Sequence, residues 1–159
     1  LNIEAACVQD DALWLFSRAN AGSPVNGCFR IDLRQAIDFL RAGGGHHALP
    51  RVDFSTLDLG CIGPVPLGIT DAAALPEGGW LLSAVAEDTS NAYDDGRCLG
   101  SVLAVCGHDG AGAGRDRLEG DPKVEGIALD GSGVLWLTTD ADDPAVASEL
   151  RCLQWPPRG

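Results

Sequence analysis

Val124-Glu125-Gly126-Ile127-Ala128-Leu129-Asp130-Gly131-Ser132-Gly133-Val134-Leu135-Trp136-Leu137-Thr138-Thr139-Asp140 reads as two strands around a turn. Asp130, Gly131, Ser132 and Gly133 are residues that bend a chain or tolerate positive φ. Beyond them Val134 to Leu137 is apolar at every position, without the alternation of a strand wetted on one side. A strand that is apolar on both faces lies between two covering layers. The hairpin therefore belongs to a sheet stacked between other sheets.

The same plan recurs twice upstream. Residues 3–8, the pair Asp10-Asp11, residues 13–18 and a third strand at 28–33 form the first copy. Residues 69–75, Gly78-Gly79, residues 80–87 and 101–106 form the second, and the quoted hairpin with a third strand at 149–155 forms the third. Further outer strands are expected at 51–59 and 115–119, and a short helix at 35–41 before Gly43-Gly44-Gly45. A repeat of roughly 54 to 67 residues suits a propeller blade with insertions. The expected fold is all-β, a β-propeller fragment of about three four-stranded blades, at roughly 1–60, 61–120 and 121–159. A β-sandwich is the alternative. Three blades cannot close a ring, since propellers use about 4–8. The rest is expected either from a longer chain, which the absence of an initiator Met at Leu1 favours, or from a second copy completing six.

Hairpin arithmetic gathers the charges. Glu4 and Arg18 are equidistant from Asp11, Asp71 and Glu87 from Gly79, and Glu125 and Asp140 from the centre of Ser132-Gly133. Each pair is expected as cross-strand neighbours at the hairpin end away from the turn. Acid facing acid is destabilising unless something compensates. A bound cation, a shared proton or an inserted base would serve, and Lys123, two residues before Glu125, is the nearest base. The candidate metal ligands are Asp71, Glu87, Glu125, Asp140 and Asp142, with Ca²⁺ as the expected ion. Glu4, Arg18 and Lys123 are the candidate ligand-binding residues. The plainer alternative is that these acids hold backbone N–H groups of neighbouring blades. Loops at 88–97 and 140–148 supply further oxygen ligands without EF-hand spacing. His46-His47 reads as a loop and His108 as a turn, and the Gly/Ala alternation at 110–114 lacks the context of a phosphate loop.

With Lys+Arg 11 against Asp+Glu 23, the net charge is −12 over 159 residues, 45% of them hydrophobic. Such a surface argues against nucleic acid and anionic membranes as partners, and cations and small polar ligands are expected instead. No apolar run reaches the ~20 residues of a membrane span. A soluble bacterial protein is expected, in cytoplasm or periplasm. The six cysteines are not a disulfide framework: Cys98 and Cys106 sit roughly 26 Å apart on one extended segment, and Cys7 and Cys28 about 9–10 Å apart on alternate strands. A bridge from Cys61 stays open.

Ala86-Glu87-Asp88-Thr89 through Tyr93-Asp94-Asp95-Gly96, Gly100-Ser101, Lys123-Val124-Glu125-Gly126-Ile127-Ala128 and Thr139-Asp140-Ala141-Asp142-Asp143-Pro144 carry a family likeness. They resemble an uncharacterised bacterial β-propeller family, distantly similar to esterase-like and phytase-like propellers. That resemblance implies a longer propeller, Ca²⁺ at the axial mouth and phosphate-ester hydrolysis. Here Arg18, Lys123 and Arg97 are the only basic residues the mouth offers a phosphate. Three readings follow. One is a propeller whose acidic mouth binds a divalent cation or small polar ligand. The second is a metal-dependent phosphoesterase or esterase-like hydrolase, and the third a protein-interaction scaffold.

Overall fold

In a computed structural model of the chain, residues 1–19, 25–44, 50–88, 96–107 and 112–155 are described. The doublet Asp10-Asp11 takes φ of 50° and 56°, the double left-handed geometry of a two-residue hairpin turn. It joins β1 (Ile3–Gln9) to β2 (Ala12–Ser17), and β3 (Asn26–Asp32) and β4 (Val52–Leu57) extend the antiparallel meander to four strands. Between β3 and β4 lies α1 (Leu33–Arg41), whose N-terminus is capped by Asp32 accepting from the Gln35 N–H at 2.9 Å. Sheet 2 has five strands in chain order: β5 (Cys61–Ile62), β6 (Val65–Ala74), β7 (Trp80–Asp88), β8 (Arg97–Cys106) and β9 (Gly112–Arg117). Sheet 3 has three: β10 (Val124–Leu129), β11 (Val134–Thr139) and β12 (Leu150–Gln154). The fold is all-β with one short helix, and its three sheets do not close on themselves.

Strand counts of four, five and three replace the uniform four expected. The long strand β6 of sheet 2 lies between the first strands of the other two sheets, against β1 on one side and β10 on the other. Two cores result. Between sheets 1 and 2, Trp80 stacks edge-on to Trp14 at 4.6 Å and to Phe16 at 5.2 Å, with Leu67, Ile69 and Leu82 filling around them. Between sheets 2 and 3, Leu81, Leu103 and Val105 meet Val124, Leu135 and Leu137. β7 thus feeds both cores from alternate residues, which is why it is apolar from Trp80 to Ala86 save for Ser83. All six cysteines are free thiols, Cys61 included.

The expected cross-strand pairs do not form. β1, β6 and β10 each carry an irregularity at the corresponding place, at Glu4, Thr70 and Glu125, where one residue lies outside the ladder. Such β-bulges shift every later pair by one. Ile3 therefore faces Ser17, and the Arg18 N–H reaches the Asn2 carbonyl at 2.9 Å. The Asp140 N–H likewise reaches the Lys123 carbonyl at 3.0 Å, leaving Glu125 unpaired in the ladder. In sheet 2 the turn centres on Glu77, because Leu75 and Gly79 already close it by a 3.0 Å backbone bond. Asp71 consequently faces Ser83 and lies away from Glu87.

Candidate functional site

At the end of the hairpins away from their turns, three elements deliver charge to one point. Arg18 follows β2, Glu87 stands near the end of β7, and Lys123 immediately precedes β10. Arg18 reaches sheet 2 by passing over Gly68: a Cβ there would stand 2.9 Å from Arg18 Cγ and 3.2 Å from the Ala19 carbonyl oxygen. Its Nη2 then meets Glu87 Oε2 at 2.6 Å. The other oxygen of the same carboxylate, Glu87 Oε1, lies 2.8 Å from Lys123 Nζ. Lys123 also pairs with Glu125 Oε1 at 3.5 Å and with Asp142.

Two cations and three carboxylates form one chain of ion pairs across all three sheets. The Lys123 side chain is only 8% exposed. Burial disfavours its charge, but hydrogen bonds to Asp142 and Glu87 and the charges of Glu87 and Glu125 outweigh that, so the ammonium is held above its ordinary value. The Glu125 carboxyl is raised as well: burial raises it, Arg18 and Lys123 pull it back, and Glu87 pushes it up again. Glu87 Oε1 and Glu125 Oε1 are shielded from solvent, and the ammonium neutralises them by charge.

Of the eight residues expected at this end, five come together: Arg18, Glu87, Lys123, Glu125 and Asp142. Glu4, at its bulge, is exposed and accepts from Asn2 Nδ2 at 2.5 Å. Asp140 stays outside and shapes the loop, its Oδ1 accepting from the Asp142 N–H at 3.0 Å, which helps Asp142 hold a φ of 55°. Asp71 is held between sheets: Oδ2 accepts from the Ile127 N–H and Oδ1 from the Ala72 N–H, each at 2.8 Å. Burial raises the Asp71 carboxyl and these two bonds lower it again. It bridges backbone between repeats, as the plainer alternative expected.

The candidate set does not fit Ca²⁺. That ion wants six to eight oxygens at about 2.3–2.6 Å, and among the described residues no group of three or more His, Cys, Asp and Glu side chains is placed to hold a metal. Lys123 Nζ stands among Glu87, Glu125 and Asp142 instead, and Asp71 and Asp140 are committed elsewhere. Most of the 88–97 loop, His46-His47 and His108 lie outside the described residues.

Several buried polar residues outside the candidate set tie the sheets together. Asn26 Oδ1 accepts from the Ala19 and Ile69 N–H groups, both at 2.9 Å, and its Nδ2 donates to the Leu67 carbonyl at 2.8 Å. Thr70 Oγ1 donates to the Val124 carbonyl at 2.8 Å. Ser101 Oγ donates to the Pro122 carbonyl at 2.7 Å and accepts from the Val124 N–H at 2.9 Å. Their signal in the sequence is a hydroxyl or amide next to the apolar residues of a strand, a site that must find a partner once buried.

No helix among the described residues is long and apolar enough to cross a membrane. No curated protein and no solved structure matches the chain, so the esterase-like and phytase-like likeness gains no support from them. Residues 1–144 match a family of unknown function, DUF6910. The chain belongs to that family.

Proposed function

We propose that this chain is a wedge of three β-propeller blades that works as a binding scaffold, with its charged end serving as a structural clamp. The fold part of this reading draws on the adjacency of β1, β6 and β10 and on the bulge repeated in each of them. The observation that carries the functional part is the Lys123 ammonium among Glu87, Glu125 and Asp142. An internal base occupies the place where a metal-dependent hydrolase would hold its ion. The net charge of −12 directs the scaffold towards neutral or basic partners.

Thermal melting with and without Ca²⁺ tests this. The melting temperature is expected to be the same in millimolar Ca²⁺ and in chelator. Lys123→Met, which removes the base and keeps the stem, is expected to cost about 3–5 kcal/mol at neutral pH, the usual penalty for stranding buried charge. That corresponds to a Tm lowered by about 6–20 °C. The loss should shrink in acid, where protonation of the stranded carboxylates relieves their repulsion. A wild-type Tm that climbs with Ca²⁺ would restore the metal-binding reading, and ester turnover alongside it the hydrolase.

A further inference from the structure

Sheet 1 has two faces, and only one packs against another sheet. Trp14, Phe16 and Cys28 pack on sheet 2. On the other face Ala6, Leu15, Phe29 and Phe54 line up across all four strands, with Val8 and Leu13 in the next row. Both rows are apolar, yet Val8 is 54% and Phe54 58% exposed. A contiguous apolar face of this kind marks a contact surface.

The repeat identifies what that surface is shaped to meet. Counted from the bulges, Leu13 and Leu15 hold in β2 the places of Trp80 and Leu82 in β7. Trp80 and Leu82 are 1% and 0% exposed because the Trp14 face of sheet 1 covers them. That covering face has its own counterpart in sheet 3, where Trp136, Thr138 and Leu150 take the places of Trp14, Phe16 and Cys28. All three are exposed. One molecule therefore carries, at its two ends, the two halves of a contact it already makes twice internally.

We propose that a second copy of this chain docks head to tail, the Trp136 face of each copy seating on the Leu15–Phe54 face of the other. Two copies make two such contacts and close a ring of six sheets, within the ~4–8 blades propellers use. A head-to-tail contact that did not close would run on as a filament. This inference rests on the propeller reading above and names the scaffold's first partner.

Light scattering of the chain at micromolar concentration should give twice 16.5 kDa. Phe54→Glu and Trp136→Glu, each at an exposed position, should each give 16.5 kDa with an unchanged far-UV spectrum. An equimolar mixture of the two should regain the doubled mass, since the first keeps its Trp136 face and the second its Phe54 face. Should either variant lose its β-sheet spectrum, Val8→Glu or Leu150→Glu replaces it. A wild-type mass other than the doubled one, or a mixture that stays at 16.5 kDa, overturns the proposal. Pairing can fail while Ca²⁺ leaves melting unchanged, which spares the scaffold reading. Ca²⁺-dependent melting defeats that reading whatever the mass.

Discussion

Asp130 shows how much one side chain can organise. Its Oδ1 accepts from the Ser132 N–H at 2.8 Å, the Ser132 hydroxyl at 2.6 Å and the Val134 N–H at 3.0 Å, and its Oδ2 from Trp136 Nε1 at 3.1 Å. Bonds to the ionised form, led by those from Ser132 and Trp136, hold the carboxyl down at about 2. A depressed acid contributes stability above the ordinary carboxylate value and loses it as pH falls through the depressed one. Asp130→Asn is therefore expected to melt below the wild type at pH 7, and the gap should close between about pH 4 and pH 2. Melting curves across that interval check it, and a gap independent of pH would show that charge plays no part. The neighbouring acids differ in sign: burial raises Asp71 and Glu125, so mild acid relieves them.

Between elements, the sheets are joined by polar side chains as much as by apolar packing. Asn26 sits at the start of β3 and satisfies three backbone groups of the loop after β2 and of β6. Asn26→Ala strands two N–H groups and a carbonyl in a buried place, and the expected loss is about 2–4 kcal/mol by chemical denaturation. Asn26→Asp should be nearly as damaging, because it cannot donate to the Leu67 carbonyl. Strand positions were legible in the sequence because apolar runs and Gly or Asp turns are local signals, and the hairpins at 3–17 and 124–139 fall where those signals stand. Register was not. A bulge at Glu4, Thr70 or Glu125 leaves no mark in composition, yet each moves every later pair by one. The Leu75–Gly79 turn centres on Glu77, ahead of its glycines, so Asp71 faces Ser83 and misses the charged end. Lys123 was legible as the compensating base because its place beside Glu125 depends on two residues of spacing, which no bulge between them disturbs.

Across the whole molecule, the ion pairs join residues far apart in the chain, from Arg18 to Asp142, so the clamp exists only while all three sheets are in place. Lys123 is also the chain's only lysine. A protease that cuts solely after lysine has a single target, the Lys123–Val124 bond, whose flanking groups bind Asp140 and Ser101 in the folded state. Cleavage by such an enzyme is expected to proceed at the rate at which the sheets come apart, slow in dilute buffer and accelerating with urea alongside loss of far-UV signal. Digestion that runs ahead of the spectrum would reveal a segment around 121–124 that opens independently. The residue that neutralises the acids thus doubles as a natural gauge of native opening, readable on a gel without a label or an engineered site.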